Sequence, residues 1–233
     1  NNIIAKMAKN NQPEEKATGI DELNDNLVSV TEKVQKNQKV IMWCTLGVAI
    51  VVALVLAYVY LIHEPSKTKG NDEIGKADLQ LVIGNDSTAL VQYLNVADNM
   101  GGDAANRAAL QSACLLYDKG DYQKALEYAR KFSSNETVIA AAALSLEGDC
   151  YVNLDNLDAA VKAFKSAISK SDKNTLYTPF FMMKLARVYR EQKNYSGEAE
   201  VYEDIIKNYP QYGDSYGIDV EKLLARAKAD ASK

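Results

Sequence analysis

Histidine and cysteine, the side chains most often used in nucleophilic and metal chemistry, are few and scattered along this chain of 233 residues. There is one histidine, His63, and there are three cysteines, Cys44, Cys114 and Cys150. A single histidine excludes a two-histidine metal site and disfavours a serine–histidine–aspartate triad. Three separated cysteines form neither a zinc motif nor a disulfide framework. We therefore predict no catalytic centre, metal site or bound cofactor, and we expect that the protein is not an enzyme.

The remaining polar features do not suggest enzymatic chemistry either. The segment Gly101-Gly102-Asp103 separates two helical patterns, so it is typical of a helix stop followed by a cap rather than of a phosphate-binding loop. Cys114 and Cys150 fall within predicted helices, where we expect them to act as small buried hydrophobes. With 27 Lys and Arg against 31 Asp and Glu, the net charge is −4. A mildly acidic protein has no electrostatic attraction for phosphate backbones, so we predict no binding to nucleic acid.

Residues 40–62 form an apolar segment of 23 residues without a charge, Gln, Asn or Pro. As a helix it would be about 35 Å long, slightly more than the hydrocarbon core of a bilayer at about 30 Å. Trp43, Tyr58 and Tyr60 lie near its ends, where aromatic rings favour the headgroup layer. The segment is too long and too far from the N-terminus for a cleaved signal peptide. We predict a transmembrane anchor, with a face of small residues suited to packing in the membrane: Ala49, Ala53 and Ala57.

Lysine distribution predicts the orientation of this anchor. The preceding tail, residues 1–39, carries six lysines, and the 39 residues that follow the anchor carry three. This bias favours a cytoplasmic tail and an exported C-terminal domain, although within about 20 residues of the anchor the two sides are equal.

Two short segments flank the anchor. In the tail, apolar residues recur at spacings of three and four, which predicts an amphipathic helix over 20–38. These residues are Ile20, Leu23, Leu27, Val30 and Val34. Such a helix would either pair with a second copy or a partner helix, or lie on the membrane surface. After the anchor, residues 63–70 (HEPSKTKG) have the composition of a polar linker to a separate domain.

The rest of the chain repeats a helical pattern at intervals of 36, 35 and 38 residues, measured between predicted turn residues. These turn residues are Gly84, Gly120, Asp155 and Lys193. Each follows one helical pattern and introduces another in which small and aromatic residues recur. In the clearest unit we expect Gly148 of the first helix to contact Ala160 of the second, with aromatic residues filling the space beside them.

This pattern resembles the tetratricopeptide repeat (TPR), a helix pair of about 34 residues. The unit over 144–170 matches it best, with Gly148, Tyr151, Ala160 and Phe164, whereas the last unit has Glu198 in place of the small alanine. The resemblance implies an all-α fold in which residues 71–231 form a right-handed α-solenoid of about four TPR-like helix pairs. A polar-faced helix over 219–231 would cap its C-terminal end.

In TPR arrays the first helix of each pair lines a concave groove that binds peptides. Carried onto this chain, the resemblance implies that Arg187 and Arg190 share one helical face and present positive charge to a partner's carboxylate. The alternative is that both arginines pair with nearby acidic residues. The groove residues implied in this way are Arg107, Leu110, Tyr117, Ser145, Asp149, Val152, Met183, Arg187 and Arg190.

The order of tail, anchor and C-terminal TPR array resembles the ancillary subunit of the SecYEG translocon, a bacterial inner-membrane protein. The resemblance implies a single-pass protein with a periplasmic TPR domain, acting as a scaffold in protein export. Its partners would be translocon subunits, chaperones or exported chains. The alternative is a self-associating structural component of another envelope complex, held together through residues 20–34 and the small face of the anchor.

Overall fold

The computed structural model describes residues 38–233, so the predicted tail helix over 20–38 lies outside the described residues except for Gln38. The described chain contains helices and turns but no strand, which confirms the all-α prediction for this part. It divides after Ile62 into two compact units.

The first unit is a long apolar helix. Helix α1 runs from Gln38 to Tyr58 and is followed by a π-helical turn over Val59–His63. The turn lies just before Pro65, which lacks an amide hydrogen and crowds the carbonyl four residues back. By length and composition, Gln38–Leu61 could cross a membrane. The side chains of Ala49, Ala53 and Ala57 are exposed in the described unit, and their packing in a membrane stays a prediction.

The second unit begins with a helix and consists of ten helices over the described residues. They are α2 (Glu64–Val82), α3 (Asp86–Asn99), α4 (Gly102–Asp118), α5 (Tyr122–Lys131), α6 (Thr137–Asn153), α7 (Leu157–Lys170), α8 (Tyr177–Glu191), α9 (Tyr195–Asn208), α10 (Gln211–Tyr216) and α11 (Val220–Ala231).

These helices pack as four consecutive pairs, α2–α3, α4–α5, α6–α7 and α8–α9, and each pair also packs on the next. The first helices of neighbouring pairs are themselves in contact, α2 with α4, α4 with α6 and α6 with α8. We call these four helices the first-helix row. Four helix pairs agree with the sequence prediction.

The turns between paired helices are built alike. Gly84, Gly120, Asp155 and Lys193 all have left-handed backbones, with φ of 77°, 80°, 58° and 60°. The residue after each donates its N–H to the carbonyl five residues earlier, as Asn85 does to Gln80 at 2.8 Å. This is the Schellman arrangement, which satisfies carbonyls at a helix end and reverses the chain. All four predicted turn residues are therefore confirmed.

In the best-formed pair, α6–α7, the residue packed closest to Gly148 differs from the expected one. Ala160 is fully buried, but the nearest atoms to Gly148 belong to the ring of Phe164. A Cβ at position 148 would lie 2.7–2.9 Å from three ring carbons. The glycine thus makes room for the aromatic ring rather than primarily for Ala160.

The predicted linker over 63–70 is wrong in conformation, because helix α2 begins at Glu64 and continues through it. Gly70 explains this, since it is buried and a Cβ there would lie 2.7 Å from the Cβ of Ala104 in α4. A close approach between two helices fixes a segment whose composition alone favoured a connector.

Three smaller features complete the comparison with the sequence. Cys150 is buried as expected, whereas Cys114 is exposed, which corrects the prediction that both are buried. The capping helix is confirmed as α11, in which Ala227 is fully buried and packs with Leu223 and Leu224 on the last pair. The short helix α10 was not predicted; Pro210 opens it, and Gly217 ends it with φ of 64°.

Candidate functional site

The first-helix row is held together by polar contacts between neighbouring pairs. Asp78 of α2 accepts a hydrogen bond from the hydroxyl of Tyr93 at 2.5 Å and forms an ion pair with Arg107 of α4, also at 2.5 Å. Further along, the amide of Asn153 in α6 donates to the hydroxyl of Tyr117 in α4 at 3.1 Å. Arg107 and Tyr117, both predicted groove residues, therefore join one pair to the next.

The contact between α6 and α8 is an ion pair beside aromatic rings. Nζ of Lys184 lies 2.5 Å from Oδ2 of Asp149, and both side chains are only about one quarter exposed, at 24%. The same Nζ lies 5.0 Å from the ring centre of Phe180 and 5.9 Å from that of Phe164. Burial raises the pKa of Asp149, and the charges of Lys184 and Arg187 oppose that rise. Asp149 thus holds Lys184 in place.

Three residues of α8 form a surface stripe that sequence reasoning found only in part. Phe180, Lys184 and Arg187 are spaced i, i+4 and i+7, so they share one side of the helix. We call them the α8 stripe. Phe180 is 43% exposed, and no carboxylate of the described chain forms an ion pair with the exposed Arg187. The sequence analysis did not identify Phe180 and Lys184, although their helical spacing relative to Arg187 is visible in the sequence.

Arg190 has a different role from the one predicted. Its Nε lies 2.7 Å from Oε1 of Glu198, a residue with no exposed surface, and its Nη1 lies 3.1 Å from Asp230 in α11. Arg226 of α11 also approaches Glu198, at 3.7 Å. Hydrogen bonds from Lys233 and from Arg190 lower the pKa of the Asp230 carboxyl. Arg190 therefore connects the last pair to its cap, as the alternative interpretation of this arginine proposed, rather than standing free beside Arg187.

The other predicted groove residues divide by exposure. Ser145 and Met183 are buried, at 3% and 7% exposed, so their side chains lie in the core of the TPR-like unit. Met183 lies in the cluster that contains Tyr202 of α9 and Tyr212 of α10. Leu110 and Val152 are half-buried. Of the nine predicted residues, Arg107 and Arg187 are the exposed ones, and partner binding by any of the nine stays a prediction.

The described residues offer no site for metal chemistry. Within residues 38–233 there is no group of three or more His, Cys, Asp or Glu side chains placed to hold a metal ion. What the first-helix row presents is positive charge beside an exposed aromatic ring, at Arg187 and Phe180.

Comparison with known families agrees with this architecture. A model described as a tetratricopeptide repeat-like domain matches residues 71–190, which is just over half of the chain. This chain belongs to the tetratricopeptide repeat-like family. A second model, described as a tetratricopeptide repeat, matches residues 181–212, across the last helix pair of the TPR-like array. Repeats of this type are generally scaffolds for protein–protein interaction.

Solved structures resemble the TPR-like unit in fold. Two crystal structures of MamA are 20% and 21% identical to this chain, with TM-scores of 0.51 and 0.49. The first alignment covers 70% of this chain and 88% of MamA, and the second covers 67% and 94%. The APC/C hetero-tetramer Cut9–Hcn1 is 19% identical, with a TM-score of 0.43, over 68% of this chain and 36% of that one. No curated protein matches the chain significantly.

Proposed function

We propose that this protein is a membrane-anchored TPR adaptor that holds a segment of a partner protein against its first-helix row. The observation that carries the proposal is the α8 stripe, where Arg187 is an exposed cation that acts on Asp149 only at longer range and forms no close ion pair in the described chain, and where Phe180 is an exposed ring. A peptide with a carboxylate next to an apolar side chain would fit both. Lys184 adds positive charge but is already held by Asp149.

The finer proposal places this adaptor at the periplasmic side of the bacterial Sec translocon. Three features support it: the apolar helix over Gln38–Leu61, the excess of lysine before that helix, and a TPR-like unit after it. On this proposal the partners are translocon subunits, periplasmic chaperones or exported chains, and the anchor lies in the inner membrane with its N-terminus in the cytoplasm.

Substitution of the α8 stripe tests the binding proposal. Arg187→Ser should reduce the yield of crosslinked partners about two- to fivefold, the effect of losing an exposed charge pair worth up to about 1 kcal/mol. Raising the salt concentration for the native protein should have the same effect, because exposed charges are screened. The yield is measured after chemical crosslinking of the tagged full-length chain in its membranes, and the partners are identified by mass spectrometry.

Lys162→Ser is the matched control for this test. Lys162 is an exposed cation on α7, a second helix, so its loss changes the net charge equally but leaves the first-helix row intact. The control should crosslink to the same partners as the native chain. The free energy of unfolding of both variants should lie within about 0.5 kcal/mol of the native value. An unchanged partner list for Arg187→Ser would contradict binding at the stripe. Partners from another envelope complex would overturn only the translocon assignment.

Topology is tested by placing a cysteine on either side of the apolar helix. In a background lacking Cys114, Ser66→Cys should react with a membrane-impermeant thiol reagent in intact spheroplasts. Ser29→Cys, in the tail, should react only after lysis. The expected contrast follows from the excess of lysine in the tail. The reverse pattern would place the TPR-like unit in the cytoplasm and exclude the periplasmic role.

A further inference from the structure

The first helix pair of the TPR-like unit exposes an apolar surface. Leu79, Val82, Ile83 and Val91 are 59%, 82%, 64% and 66% exposed, more than any other large apolar side chain described in residues 68–233. Leu79, Val82 and Ile83 are spaced i, i+3 and i+4, on the side of α2 opposite its buried residues, and Val91 lies on α3. We call these four residues the edge patch. Apolar patches of about 300–600 Å² on a monomer often mark interaction sites.

The register of the repeats shows what normally covers Leu79. Counted back from each left-handed turn residue, the positions equivalent to Leu79 are Leu115, Cys150 and Val188, which are 8%, 0% and 2% exposed. Cys150 is buried in a hydrophobic cluster whose other members belong to the first two helix pairs. Val188 packs with Phe164 of the preceding pair. In each later pair, therefore, another helix pair of this same chain covers this position. The first pair has no such neighbour in the described chain.

The same register shows that Val82 and Val91 are unusual. The residues equivalent to Val82 are Asp118, Asn153 and Glu191, and those equivalent to Val91 are Glu127, Lys162 and Glu200. All six are exposed. This chain therefore uses polar residues at both positions wherever they face water. Two valines at the first pair indicate that these positions are covered in the assembled protein.

The opposite end of the array cannot supply that cover. Helix α11 closes it, with Val220 and Ala227 buried and Asp230 bound to Arg190 at 3.1 Å. Head-to-tail stacking of copies is thereby disfavoured, whereas two identical edge patches, which no helix pair of the described residues covers, can meet about a two-fold axis. Such an isologous contact closes after two copies and does not continue into a fibre.

We propose that two copies of this chain associate through their edge patches, each supplying the helix pair that the other lacks. The four apolar side chains form the centre of the contact, and the surrounding polar residues of α2 and α3 form its rim, as in interfaces that bury about 800 Å² on each partner. The surface is separate from the α8 stripe, so one copy can engage a partner and a second copy at the same time.

Site-specific photo-crosslinking of the full-length chain in its own membranes tests this contact. With p-benzoylphenylalanine replacing Ile83, irradiation should give an adduct of twice the chain mass, and peptide mapping should place the second attachment point within residues 71–99. The same amino acid replacing Ile139, which is 40% exposed on α6, should give no such adduct. An adduct that maps to residues 38–61, or one formed only with lipid or with a different protein, would overturn the proposal.

A double variant provides a second, independent test. Val82→Asn with Val91→Glu introduces residues that this chain already carries at equivalent positions, Asn153 and Glu127, so folding should be retained. The two-chain adduct from position 83 should fall at least tenfold. The matched control, Ile139→Asn with Leu176→Glu, polarises two other exposed apolar sites and should leave the adduct unchanged. An undiminished adduct in the edge variant, with circular dichroism and melting equal to the native chain, would also overturn the proposal.

Discussion

Replacing Arg190 with methionine is expected to lower the free energy of unfolding by about 3 kcal/mol, the lower end of the cost of breaking a buried ion pair. Glu198 has no exposed surface, and Nε of Arg190 lies 2.7 Å from its Oε1. Without Arg190 this carboxylate keeps a hydrogen bond with Tyr202, and its remaining ion-pair partner is the more distant Arg226, at 3.7 Å. Urea unfolding of the full-length chain in mild detergent, followed by circular dichroism, measures the change.

Two further variants isolate the cause of this loss. Arg187→Met removes an exposed cation from the same helix and should change stability by no more than about 0.5 kcal/mol. Adding Glu198→Ala to Arg190→Met should recover part of the loss, since no buried carboxylate remains and alanine occupies the equivalent positions, Ala125 and Ala160. Equal stability of Arg190→Met and Arg187→Met would show that Arg190 does not hold the cap.

Local chemistry made the repeat architecture predictable. In all four turns, the residue with the left-handed backbone is followed directly by Asn or Asp. This signal spans only two or three residues, and it is present at Asp155 and Lys193 even though neither is a glycine. The conformation of residues 63–70 was not predictable in this way. It depends on the contact between Gly70 and Ala104, residues far apart in sequence, which composition does not reveal.

The candidate site was predictable only in outline. Helical spacing identified the first helices, but the exposure of a side chain depends on which other helices cover it, and Ser145 and Met183 proved to be buried. The role of Arg190 depends on Asp230, which is 40 residues away in the sequence. Lys184, by contrast, was within reach of sequence reasoning, since it lies three residues before Arg187 on the same helix face.

Enlarging Gly148 should destabilise the protein in proportion to the size of the new side chain. Gly148→Ala places a Cβ 2.7–2.9 Å from ring carbons of Phe164, which is only 1% exposed. Overpacking of this kind costs about 1–3 kcal/mol, which exceeds or offsets the gain of about 1 kcal/mol in helix propensity from Gly to Ala. We expect Gly148→Ala to cost about 1 kcal/mol net, and Gly148→Leu about 3 kcal/mol.

Gly75 supplies the matched control, because it also lies inside a helix but a Cβ there would meet no atom within 4 Å. Gly75→Ala should therefore stabilise the protein by about 0.5–1 kcal/mol through helix propensity alone, a change of opposite sign to that of Gly148→Ala. Phe164→Leu combined with Gly148→Ala should recover part of the loss, since the smaller side chain leaves room for the new methyl group. Urea unfolding of all four variants measures these changes in the free energy of unfolding. A stabilising Gly148→Ala would show that the ring of Phe164 yields easily and that the close approach of α6 to α7 does not depend on glycine.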